Sequence, residues 1–159
     1  DYPVKTVEFM AEVVREVEAS MEEQVHHTVK QASKNTQGII CKNVWQAARE
    51  DNAEYIVAHT MSGSTARNIS KYRPQIPVIA FTSDETTERQ LQLTWGVKPY
   101  YSELADSVEE MMKTSAERLE NLGMASDDDK LVLSAGIPTS TTGTTNMMQI
   151  RTVDELLEN

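Results

Sequence analysis

Val4, Val7, Met10, Val14, Val17, Met21 and Val25 recur every three or four residues, with Glu, Lys and Arg between them. That spacing gathers the apolar side chains on one face of a helix, and Pro3, whose fixed φ suits a first helical turn, marks its start. Over residues 27–38 the period is lost and polar, turn-forming side chains collect, which predicts a linker. The chain is thereby divided into an N-terminal helix and linker, residues 1–35, and a domain of residues 36–159. Helical spacing returns with Ile39, Ile40, Val44, Ala47 and Ala48 and ends at the Asp51-Asn52 pair. Residues 55–58, Tyr-Ile-Val-Ala, are short, apolar and β-prone and run into the polar stretch His59 to Ser64, so they read as a buried strand. A short helix over 65–72 follows, closed by Pro74.

The same unit then repeats. Residues 77–82 form a strand, Ser83-Asp84 a helix cap, 86–94 a helix, and, after Gly96, 97–101 a strand. Val108, Met111, Met112, Ala116 and Leu119 predict an amphipathic helix over 106–122, stopped by Gly123. The acidic turn Asp127-Asp128-Asp129 leads into a strand at 131–135, and a last strand at 147–153 follows the loop 136–146. Alternating strands and helices predict an α/β three-layer sandwich around a mostly parallel sheet of about five strands. The final loop is too short for a crossover helix, so the last strand should run antiparallel at the sheet edge. Residues 139–145, rich in Thr, Ser and Gly, read as a mobile loop.

Composition narrows the function classes. At 159 residues the chain fits one ordinary domain able to bury roughly two-thirds of its unfolded surface. No apolar run approaches the roughly 20 residues that cross a bilayer. A balance of 15 basic against 25 acidic residues gives a formal charge of −10, which repels nucleic acid and anionic lipid. Neither a nucleic acid nor a membrane is expected as a partner. Cys41, the single cysteine, cannot form an internal disulfide and reads as a small buried hydrophobe in a reducing, cytoplasmic setting. The first residue is Asp1 rather than Met, which implies processing or a chain begun inside a longer protein.

Two loops stand out chemically. Thr60-Met61-Ser62-Gly63-Ser64-Thr65-Ala66 lies between a buried strand and a helix start, where α/β sheets bind ligands. Small residues allow close backbone approach, Gly63 permits unusual dihedrals, the hydroxyls donate, and the first helical N–H groups add partial positive charge. The same residues would equally form a plain turn and helix cap. Pro138-Thr139-Ser140-Thr141-Thr142-Gly143-Thr144-Thr145-Asn146 follows another strand and is either a second arm of the same cradle or an empty connection. The first loop is neither a Walker A sequence nor a dinucleotide fingerprint. His26, His27 and His59 lack metal-site spacing, the Asp127 turn lacks an EF-hand's spaced ligands, and Trp45 and Trp95 read as packing residues. A hydrolase built on Ser62 and His59 is disfavoured, because Thr60 stands where a nucleophile elbow needs Gly.

Residues 60–74, Thr-Met-Ser-Gly-Ser-Thr-Ala-Arg-Asn-Ile-Ser-Lys-Tyr-Arg-Pro, resemble the signature of the pyruvate kinase C-terminal domain. The likeness continues through residues 76–82, 89–93, 96–97, 135–138 and 143–146, in the family's order. Asp1-Tyr2-Pro3-Val4, Val7 and Met10 are similar to the segment that leads from the family's last barrel helix into that domain. In the family, the residues handling phosphoenolpyruvate, potassium and magnesium lie on the barrel. The resemblance therefore implies no catalytic residue, metal site or cofactor in this chain, and no phosphoryl transfer by it alone. It implies a regulatory and assembly domain that partners the catalytic domain and packs as a homo-oligomer, a dimer for this chain and a tetramer for the parent enzyme. The final strand would pair across the twofold axis.

It further implies an effector site, in which Thr60, Ser62, Gly63, Ser64 and Thr65 match the first loop and Gly143, Thr144 and Thr145 the second. Animal-type fructose 1,6-bisphosphate sites carry basic residues in the first loop and Trp-Arg-Pro in the second. Here stand Met61, Ser64 and Gly136-Ile137-Pro138. A bisphosphate would lack charge partners, which favours a monophosphate such as AMP or ribose 5-phosphate, or no activator at all. The remaining alternatives are a free-standing phosphate-ligand-binding domain of the same fold and the small α/β hydrolase.

Overall fold

A computed structural model of the chain describes residues 2–21, 35–137 and 144–158. The chain divides into two compact units, Asp1–Gln31 and Ala32–Asn159. In the first, helix α1 (Pro3–Met21) starts at the proline, and Thr6 donates both its backbone N–H and its hydroxyl to the Tyr2 carbonyl. The apolar stripe of α1 is solvent-exposed, from Val4 at 69% to Val17 at 48%. His26, His27 and most of the proposed linker fall outside the described residues.

The second unit begins with α2 (Thr36–Glu50), three residues before the apolar spacing returns. The linker reading of residues 36–38 is thereby corrected. Asn35 is the cause: its side-chain oxygen accepts from the Gly38 N–H at 2.8 Å, and such a cap supplies an orphan donor's partner irrespective of the periodicity behind it. There follow β1 (Tyr55–His59), α3 (Ser64–Ser70), β2 (Val78–Thr82), α4 (Glu85–Leu91), β3 (Val97–Tyr101), α5 (Val108–Asn121), β4 (Lys130–Gly136), β5 (Thr145–Thr152) and α6 (Val153–Leu157).

The strands lie in the order β3-β2-β1-β4-β5, with β1 to β4 parallel and β5 antiparallel to β4 at the edge. Successive side chains of a strand point to opposite faces, and the core divides accordingly. Ile56, Ala58, Val78 and Ala80 pack with Cys41 and Val44 of α2, Ile69 of α3 and Leu91 of α4. Val57, Ile79, Leu131 and Leu133 pack on the opposite face with Met112, Ala116 and Leu119 of α5 and Leu156 of α6. Three layers result. Cys41 is fully buried, and burial pushes its thiol up to about 11.

Helix α6 corrects the reading of 147–153 as strand to its last residue. Glu155 reaches back to accept the Thr152 N–H at 3.3 Å, and Val153 and Leu156 are buried. The Thr152-Val153-Asp154-Glu155 capping-box pattern was the local signal for it.

Candidate functional site

From β1 the chain moves outward to β2 and β3 through α3 and α4 on one face. Helix α5, on the other face, then returns it to β4 on the far side of β1. The loops leaving β1 and β4 thus part at neighbouring strand ends, the position at which α/β sheets open a crevice. A cleft of about 70 Å³ occupies it, and its lining includes Thr60, Ser64, Thr65, Thr144 and Thr145.

The structure brings most of the predicted residues together. Thr65 and Thr145, 80 positions apart, are both nearly inaccessible and share a 2.6 Å hydroxyl hydrogen bond. Ser64 joins them through Gln37 of α2, whose amide nitrogen donates to the Ser64 hydroxyl at 2.9 Å and to the Thr145 hydroxyl at 3.2 Å. Thr60 is buried beside them and holds the β1 end to β2 by donating its N–H to Phe81. Ser62 and Gly63 do not line the cleft. Gly143 and the rest of 138–143 lie outside the described residues.

The loop 60–63 is fixed from behind. Gly63 has φ +75°, which a side chain would strain, and a Cβ there would lie 2.6 Å from the Arg67 guanidinium. Arg67 crosses the glycine to donate to the Ser62 carbonyl at 2.6 Å and to Gln90 of α4 at 3.1 Å. Thr87 of α4 donates to the Met61 carbonyl at 3.1 Å. Helix α3, at seven residues, is short, so the hydroxyls rather than its dipole define the chemistry of this end.

His59 closes the floor. Its ring stacks on Phe81 at 5.6 Å, and its Nε2 lies 2.9 Å from the Ser115 hydroxyl. Ser115 spends its proton on the Met111 carbonyl at 2.8 Å, so the histidine is the donor, in its neutral Nε2–H form. Burial pushes its pKa down to about 4. His59 is thus committed to Ser115, while Ser62 is exposed and does not line the cleft, a geometry that does not build a Ser62 nucleophile.

The cleft's lining residues include Glu103 but, among the described residues, no Lys or Arg. The two tryptophans are accounted for by packing: Trp45 stacks on Tyr72 at 5.5 Å, and Arg73 lies over Trp95 at 4.7 Å. The acidic turn is local structure, since Asp129 accepts from the Ser126 N–H at 2.8 Å and its carbonyl receives Val153. Gln37 and Arg67 were missed in the sequence. Nothing near Gln37 marks partners 27 and 108 positions away, whereas Arg67 could have been found one helical turn after Gly63.

A five-stranded sheet of this order between two helical layers, with a polar crevice at the β1 and β4 ends, defines an α/β three-layer domain. A family model described as pyruvate kinase, alpha/beta domain, matches residues 38–151, and the chain belongs to that family. The chain is 36% identical over 155 residues to a pyruvate kinase of Clostridium acetobutylicum, covering 96% of this chain and 33% of that protein. It is 35% identical over 160 residues to one from Staphylococcus aureus, covering 99% of this chain and 27% of that protein. A solved pyruvate kinase structure from Cryptosporidium parvum superposes with a TM-score of 0.71 at 25% identity, over 81% of this chain and 25% of that one. The chain thus spans a third or less of the length of the curated relatives described here. The alignments occupy nearly all of its residues, leaving no room in it for the barrel that bears the family's catalytic groups. Among the described residues no helix is long and apolar enough to cross a membrane.

Proposed function

We propose that this chain is the regulatory and oligomerisation domain of a pyruvate kinase, in which a phosphorylated effector in the β1/β4 cleft biases assembly. Through assembly it would bias the rate at which the catalytic domain passes phosphate from phosphoenolpyruvate to ADP. Magnesium and potassium belong, in this reading, to the barrel, the domain itself needs no cofactor, and the enzyme works in the cytoplasm.

The convergence of Ser64, Thr65 and Thr145 hydroxyls at the switch point carries the effector reading. A hydroxyl-lined cleft that includes Glu103 and, among the described residues, no Lys or Arg favours one phosphate over two, because each further phosphate adds negative charge without a cationic partner in that lining. AMP or ribose 5-phosphate suits it better than fructose 1,6-bisphosphate.

The outer edge of β5, unpaired among the described residues, supports assembly. It exposes Ile150, whereas the β3 edge carries Pro99, which has no N–H, and spends the Tyr101 N–H on the Glu88 carboxylate at 3.1 Å.

A native-state ligand raises the melting temperature, so AMP, ribose 5-phosphate, fructose 1,6-bisphosphate and inorganic phosphate are screened by thermal shift. The monophosphates should raise Tm by several degrees, and Ser64→Ala should remove most of the shift. No response to any of the four rejects the effector reading.

A further inference from the structure

Resting on the effector reading, the residue still without a role is Gln37, on the first turn of α2, which is not in the cleft lining but is bonded to two of the hydroxyls that are. The hydroxyls of Ser64, Thr65 and Thr145 carry three protons. A hydroxyl has one proton to give and two lone pairs to offer. The Thr65–Thr145 contact uses one proton, whichever residue donates, and Gln37 fills a lone pair on Ser64 and another on Thr145 without taking any proton. Two of the three protons are left with no acceptor among the described residues. Thr65 and Thr145 are buried, so a spare proton there is costly unless an incoming oxygen receives it.

We propose that Gln37 is a positioning residue that sets the polarity of this site. By donating both amide hydrogens inward, it obliges the hydroxyl cluster to donate outward, so that the site selects an acceptor-only group such as a phosphate oxygen. The selection needs no cation, which explains how a cleft without Lys or Arg in its described lining would hold an anion at all. It also ties occupancy to α2: the helix that follows residues 22–34 is bonded to the atoms that would meet the ligand.

The test is calorimetric titration of the 159-residue chain with inorganic phosphate, AMP and ribose 5-phosphate. Gln37→Glu keeps size and shape but replaces the donor by a charged acceptor, which would claim the spare protons and repel the ligand. Affinity at pH 7.5 should fall more than tenfold, and the gap from the unsubstituted chain should narrow toward pH 5 as the introduced carboxyl gains a proton. A purely structural role would not give that pH dependence. Gln37→Met, which has similar length and no donor, should weaken binding several-fold, and it decides the matter if the glutamate variant does not fold. Equal affinity in the unsubstituted chain and in whichever variant folds overturns the role of Gln37 while leaving the effector reading standing. Failure of the unsubstituted chain to bind any of the three overturns both.

Discussion

His59 shows how one side chain registers its surroundings. Its ring lies against Phe81 and gives its proton to Ser115, and burial holds its pKa near 4 rather than at the ordinary 6.5. Between those values the unfolded chain binds a proton that the folded chain refuses, so stability rises with pH across that window. The contribution is fully present above about pH 6.5 and is lost as pH falls toward 4, by on the order of 3 kcal/mol at 1.36 kcal/mol per pH unit. Urea titrations from pH 7 to pH 4.5 should show this loss, and His59→Gln should remove it. Asp84 and Asp154, whose pKa values are lowered chiefly by hydrogen bonds from Thr87 and Thr152, titrate at lower pH and remain in the variant as a background. An unchanged pH slope in the variant would mean that His59 is not the group concerned.

At the scale of elements, caps fix the boundaries that hydrophobic spacing leaves loose. Helix α5 was expected from Asp106 but begins at Val108, because the Ser107 hydroxyl accepts the Glu110 N–H at 3.0 Å. The Glu110 carboxylate reaches back to the Asp106 N–H at 3.0 Å. Ser107→Ala should therefore cost about 1 kcal/mol in urea denaturation, and Ser107→Asn should restore most of it. A loss well below that would show that packing of Met111, Met112, Ala116 and Leu119 alone sets the helix start. Strand identities and order of appearance were legible throughout the second unit, since short β-prone runs between turn residues leave little choice. Helix ends were less so: α4 stops at Leu91 rather than Thr94, and Val153, the first residue of α6, was taken for the end of a strand while the rest of that helix was not expected.

For the whole molecule, the two sheet edges differ in what they offer another chain. β3 is blunted by Pro99 and by the Glu88 carboxylate, while β5 is an eight-residue strand paired on one side only among the described residues, with Ile150 exposed. The proposed dimer should appear in sedimentation velocity at tens of micromolar, and Ile150→Lys on the β5 edge should shift it toward monomer without lowering the ligand-free Tm. A monomer across that concentration range would reject assembly through this edge. By itself the sequence determined the alternation of strand and helix, the reversed final strand, the hydroxyl-rich loops and the family. Each of these is written in neighbouring residues, as periodicity, turn chemistry or a continuous motif. Only the tertiary structure decided that Thr65 meets Thr145, that Gln37 binds both arms of the cleft, that His59 serves Ser115, and that Ser62 is left out of the cleft lining. Those contacts join side chains tens of positions apart, and such hydrogen bonds leave no period in the chain: they exist only once the sheet has set its strands side by side.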